Sequence, residues 1–197
     1  MRRNPFARLR HRPVVVVASG PSLRPDDVEY CRDRAAVIVV NDNHRLAPWA
    51  DVLYAADPEW WDHHQGVQGF RGLRVTQDAG AALRWGLHYI ESVAAPGFSL
   101  DPGRLHRGDN SGFQALNLAV IYGGRPIALL GFDMKMAGRR RHWFGDHPGA
   151  LNQDSPYRLF AHAFDEAAQR HPGVEIINAT RDTALECFPR RSLREIL

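Results

Sequence analysis

Apolar positions in this chain come in short unbroken runs rather than in alternation. Val14–Ala18 and Ala36–Val40 are uniformly apolar, and Asp51–Ala56 and Pro126–Leu130 are nearly so. Strands covered on both faces have this pattern, whereas a sheet with one wet face alternates apolar and polar residues. Leu73–Thr76, Gly86–Ile90 and Val174–Ile177 are weaker runs of the same kind. Helical patterns lie between them. Pro25-Asp26-Asp27 opens a short helix, with proline in its first turn and acids near its positive end. Gly112 to Tyr122 is the best helix, with a broad apolar face from Phe113, Leu116, Leu118, Ala119 and Val120. Asn110 or Ser111 caps it and Gly123-Gly124 ends it. Ser155–Gln169 is a further helix, and the C-terminus a short one. Residues 93–110 read as loop, and a long polar loop after Asp133 carries His142 and His147.

Strand–helix alternation of this kind predicts the α/β class: a Rossmann-like, open, mostly parallel sheet flanked by helices. The 197 residues suit one core. The expected organisation is a basic tail over residues 1–12 and a single domain over 13–197.

Composition changes this picture little. Hydrophobic residues make up 44% and charged residues 24%, a globular balance. Net charge is +3, with Arg2, Arg3, Arg8, Arg10 and Arg12 crowded at the start and Lys135 the single lysine. That leaves an anionic ligand open, and nucleic acid with it. No apolar run reaches the roughly 20 residues of a membrane span, and the run after the basic start is too short for a secretory signal. Cys31 and Cys187 stand far apart without metal-type spacing, so the cytoplasm is the expected compartment. A homo-oligomer is compatible with all of this.

In open parallel sheets ligands bind beyond the carboxyl ends of the strands. The residues there are Ser19-Gly20-Pro21-Ser22, Asn41-Asp42-Asn43, Asp57-Pro58 and Gly131-Phe132-Asp133, all with small or polar members. Gly20 permits close backbone approach, Pro21 stiffens the turn, and Ser19 and Ser22 offer hydroxyls. Such a turn suits phosphate or carboxylate oxygens; it equally suits a tight, capped strand-to-helix connection. Asn110-Ser111-Gly112 raises the same pair of readings at the entry of the long helix. The segment Arg139-Arg140-Arg141-His142-Trp143-Phe144-Gly145-Asp146-His147 joins cations, aromatics and two imidazoles. An imidazole near neutrality serves as a general base, and the arginines suit a phosphate; a solvated basic loop with aromatic anchors has the same composition. Trp60-Trp61 after Asp57-Pro58 fits a pocket wall or core packing.

Several chemistries find no support in the residues. Neither a G-x-G-x-x-G nor a P-loop fingerprint is present. His142 and His147 are five apart and His63-His64 adjacent, so no zinc pattern appears, and no Asp-x-Asp pair exists to hold a metal on a diphosphate. There is no Gly-x-Ser-x-Gly elbow, which argues against triad hydrolysis.

Taken together, "SGPSL" after the first strand, "VVNDN" after the second, "NSGFQALNLAVIYGGRPIALLGFDM" in the middle and "HWFGDH" before the last long helix resemble the small bacterial sialyltransferases of glycosyltransferase family forty-two. They are more similar still to short phage-associated proteins of unknown role. They also resemble the broader domain family that includes archaeal hydroxymethyldihydropterin pyrophosphokinase. The resemblance spans roughly residues 14 to 180. It implies a variant of the GT-A fold, a CMP-linked sugar as donor, an unidentified hydroxyl acceptor and no metal cofactor. By this resemblance Gly20, Pro21 and Ser22 line the donor phosphate; Ser19 after the first strand and Asp57 after the third are binding candidates by position. Asn41 contacts the donor, Ser111 and Gly112 lie near the nucleotide behind Asn110, and Asp133 contacts ribose or base. His147, or failing it His142, is the general base. The chain departs from the family at Ser19, where asparagine is usual. It also lacks the tyrosines that help the phosphate leave; Arg139–Arg141 stand in that neighbourhood. Two other functions remain open: a pterin-type pyrophosphokinase using ATP and Mg²⁺, and a non-catalytic nucleotide- or nucleic-acid-binding module.

Overall fold

The computed structural model describes residues 5–151, 155–171 and 173–197. Strands β1 (Val14–Val17), β2 (Ala36–Val40), β3 (Val52–Tyr54), β4 (Leu73–Thr76), β5 (His88–Tyr89), β8 (Ile127–Leu130) and β9 (Ile176–Asn178) form one sheet in the order β5-β4-β3-β2-β1-β8-β9. Every pairing in it is parallel. Helices α1 (Pro25–Tyr30), α2 (Pro58–His63), α3 (Ala79–Trp85), α4 (Ser111–Ile121), α5 (Tyr157–Arg170) and α6 (Leu193–Ile196) flank it. The chain is thus a single compact α/β domain with an open Rossmann-like sheet, as expected.

The valine run explains the layering. Because side chains alternate across a strand, Val14 and Val16 join one core layer and Val15 and Val17 the other. Phe113 and Leu116 of α4 and Phe164 of α5 cover the first layer. Val28 of α1, Trp60 and Trp61 of α2, Ala81 of α3 and Leu193 of α6 cover the second. All four valines are 0% exposed, and each contributes about 1.5–3 kcal/mol by leaving water. Trp60 and Trp61 are therefore core residues.

The sheet grows outward from β1 to β5, then the chain crosses back to place β8 on the other side of β1. The order reverses between β1 and β8, and at such a point the connections leave in opposite directions and open a crevice. Ser19–Ser22 and Gly131–Asp133 meet there.

Three expectations need correction. The basic segment is docked where it is described: Phe6 and Leu9 are each 1% exposed, Ala7–Leu9 is a 3-10 turn, and Phe6 stacks on Tyr122 with ring centroids 4.0 Å apart. Two apolar residues three apart bury one side of that turn even among arginines; Arg2 and Arg3 lie outside the described residues. Second, 93–110 is not plain loop. Strands β6 (Glu91–Val93) and β7 (Arg104–His106) pair in parallel. Buried Asn117 ties the segment down, accepting from Ser99 and His106 backbone N–H groups at 3.1 and 2.9 Å. Third, Gly86 is the left-handed cap of α3, with φ 63°, so β5 is only His88–Tyr89.

Candidate functional site at the carboxyl edge of the sheet

At the β1/β8 crossing the backbone makes a close turn. Gly20 N–H donates to Gly131 O at 2.8 Å. A Cβ on Gly20 would lie 2.0 Å from Asp133 Oδ1, and one on Gly131, whose φ is +70°, would lie 2.2 Å from Ala18 O. Both glycines are required for contact between segments of the protein itself. Asp133 fills that space. It accepts from Ser22 N–H at 2.8 Å and from Ser22 Oγ–H at 3.0 Å. The donors expected to hold a ligand phosphate are thus engaged by the chain's own carboxylate. Asp133 is 3% exposed; burial pushes its carboxyl up to about 6, against the opposing pull of the Ser22 hydrogen bonds.

The long polar loop folds back over the ends of β1 and β2. Trp143 N–H donates to Ser19 O at 3.1 Å, and Trp143 Nε1–H to Asn43 Oδ1 at 2.8 Å. Asn43 sits in the 3-10 turn Asn41–Arg45 that ends β2. It is 0% exposed, and its Nδ2 donates towards Val17 O, Val40 O and Ser19 Oγ at 2.9, 2.9 and 3.1 Å. One amide therefore fastens two strand ends and the loop above them.

That clamp delivers the imidazoles. His147 Nδ1 lies 3.4 Å from Asp42 Oδ2, and His64 Nε2 lies 3.6 Å from Asp42 Oδ1. Trp60 Nε1–H donates to Asp42 Oδ2 at 3.1 Å, fixing the carboxylate from below. His142 packs on His147 with centroids 4.8 Å apart and stacks on Phe144 at 5.1 Å. Burial lowers the pKa of His142 to about 4, with the neighbouring His147 charge adding to it. Burial also lowers those of His147 and His64, opposed in both by Asp42. Burial thus favours the neutral form of all three rings. Asp57, at the entry of α2, is raised by burial first and by Glu59 second, while His147 pulls it down.

The remaining expected residues lie along the same edge in structural contacts. Asn110 caps α4, accepting from Phe113 N–H at 2.7 Å. Ser111 Oγ accepts from Ala56 N–H at 3.2 Å, beside Asp57. Gly112 faces Phe132, whose Cε1 would be 3.2 Å from an added Cβ. Asn41 ends β2 with φ +51°, and its buried Oδ1 has no partner among the described residues. Pro21 and Ser22 border a cavity of about 370 Å³.

The structure thus joins Ser19, Gly20, Pro21, Ser22 and Asp133 in one contact group. It joins His142 and His147 with Asp42 in a second, bridged to the first through Ser19, while Asp57 acts on His147 only through its charge. Asp42, Asn43, Trp60 and His64 were not singled out as site residues. The signal for the first two was a charged and an amide residue directly after an all-apolar strand. Trp60 was legible only as a pocket wall or core residue, and His64 gave no signal.

Among the described residues no group of three or more His, Cys, Asp or Glu is arranged to hold a metal. No described helix is long and apolar enough to cross a membrane. The fold and its edge residues define a Rossmann-like α/β domain with a half-buried imidazole–carboxylate cluster under a polar loop. Comparison with protein-family models, with curated proteins and with solved structures finds no match to this chain.

Proposed function

We propose that this protein is a metal-independent, glycosyltransferase-like enzyme that uses a nucleotide-activated sugar, CMP-linked, with His147 as general base. The observation that carries this reading is the approach of His147 Nδ1 to Asp42 Oδ2 at 3.4 Å. A carboxylate on Nδ1 favours the tautomer that leaves Nε2 unprotonated. Burial holds the ring neutral, so Nε2 is ready to take a proton at pH 7. Asp42 is a positioning residue here, itself anchored by Trp60.

In the transfer step the acceptor hydroxyl oxygen forms a bond to the anomeric carbon. The bond from that carbon to the phosphate oxygen breaks, and its electron pair leaves with the nucleotide. The hydroxyl proton goes to His147 Nε2. The ends of β1 and β2 support the donor, and the departing phosphate lies towards Ser22.

The test is release of CMP from CMP-sugars over an acceptor panel, with and without chelator, beside thermal shifts with CMP, CDP, UDP, ADP and ATP. The expected result is chelator-insensitive turnover and stabilisation by cytidine nucleotides. His147→Ala should lower turnover about 10²–10⁴-fold without changing nucleotide stabilisation. Chelator-sensitive stabilisation by ATP and Mg²⁺ overturns it in favour of a pyrophosphokinase. Salt-steep DNA binding that His147→Ala leaves untouched, without turnover, overturns it in favour of a binding module.

A further inference from the structure

The turn at Ser22 has two sides. On the inner side Asp133 engages its N–H and hydroxyl. On the outer side lies the cavity of about 370 Å³, walled by Pro21, Ser22, Arg24, Arg140, Arg181 and Asp182 among others. The charges there divide unevenly. Arg181 is held by Asp27 through two hydrogen bonds of 2.6 and 2.8 Å. Asp182 is paired with Lys135 at 2.6 Å. Arg24 and Arg140 have no side-chain partner among the described residues, so two uncompensated cationic residues line the cavity.

The two arginines come from separate segments and are placed by backbone structure. Arg24 is the residue that enters α1, in extended conformation. Arg140 closes a tight hairpin in which Ala137 and Arg140 exchange backbone hydrogen bonds, each 3.1 Å. Gly138, with φ +61°, makes that turn possible. Guanidinium groups pair with phosphate oxygens through two parallel N–H donors, which fixes geometry as well as charge.

We propose that this cavity is an anion subsite for a terminal, dianionic phosphate, gripped by Arg24 and Arg140 on the solvent side of Ser22. Two cations match a phosphate monoester, whereas a phosphodiester within a strand carries a single charge. The proposal needs only this charge chemistry and does not depend on glycosyl transfer.

Amide chemical shifts of the full chain, titrated with inorganic phosphate and with CMP at constant ionic strength, test it. The expected result is saturable shifts centred on Ser22, Arg24, Ala137 and Arg140. The double variant Arg24→Ala/Arg140→Ala should weaken binding about tenfold or more, and Arg24→Lys/Arg140→Lys should recover part of it. Both residues are exposed, so the variants keep the parent's melting temperature. Chloride at equal ionic strength should produce no saturable shift, and CMP should bind more tightly than a short single-stranded DNA without a terminal phosphate. Three outcomes overturn the subsite: phosphate binding unchanged in the double variant, shifts centred instead on His142–His147, or tighter binding of the strand. If phosphate binds as stated but CMP-sugars are never turned over, the subsite stands and the transferase reading falls.

Discussion

The Ser19–Ser22 turn has a buried ionisable centre on each flank, and acid acts on them in opposite directions. On one side is Asp133, a carboxyl pushed up to about 6 by burial. On the other is the imidazole cluster, with His142 pushed down to about 4. In each case burial disfavours the charged form. For the carboxyl this means that the folded chain holds its proton when the unfolded chain, near 3.8, has lost it. Stability from that group is present in acid and falls as pH rises to about 6. For the imidazole the unfolded chain, near 6.5, binds a proton that the folded chain refuses. Stability is full above that value and is lost as pH falls towards about 4. Two adjoining sites with one physical cause therefore pull the stability curve from opposite ends. The lesson is that the turn is a junction between a closed structural clamp and a neutral, proton-accepting cluster.

Gly20→Ala has the largest expected effect, because it puts a methyl 2.0 Å from Asp133 Oδ1 and 2.5 Å from Gly131 O. Neither the backbone carbonyl nor the clamped carboxylate yields cheaply, so a loss of about 4 kcal/mol or more is expected in urea unfolding. A parent-like midpoint would show that the clamp is loose.

The opposed pH responses are next in size. His142→Phe keeps a ring against Phe144 but cannot take a proton. Relative to the parent it should gain up to about 3 kcal/mol as pH falls from 6.5 to 4. Asp133→Asn should gain up to about 3 kcal/mol relative to the parent as pH rises from 4 to 6, whatever its offset. Curves that stay parallel to the parent's in both variants would remove the basis of the comparison.

Asn43→Ala should cost about 2–3 kcal/mol, because it leaves buried carbonyls of both strand ends and the Trp143 indole N–H unpaired. Tryptophan fluorescence should shift red as the loop lifts. No shift would mean that the loop is held elsewhere. The smallest effect is expected at Leu83, 89% exposed and remote from both flanks: Leu83→Glu should stay within about 0.5 kcal/mol and follow the parent's pH curve.

The strand runs were legible because a fully covered parallel strand has no polar face to interrupt it, and Val14–Val17 and Ala36–Val40 read correctly for that reason. Helices α2 and α3 were not, since six or seven residues give too little period. Gly20 was legible as a place of close approach and Gly131 only as a strand end, but not what approaches: the residue that needs Gly20 is Asp133, more than a hundred positions on. His142 and His147 were legible as candidate bases by type. Asp42 was visible after its strand, but its meeting with His147 and His64 follows from the way β2, α2 and the loop converge.

Local pattern and backbone sterics were enough to set the class of the sheet, the places where strands end, and the small and polar residues found there. Which of those residues face each other depended on how distant segments pack. Ser22 received an internal carboxylate, Ser111 a backbone amide, and His147 a buried aspartate, since burial makes an unpaired polar group costly and the chain supplies these partners from distant segments.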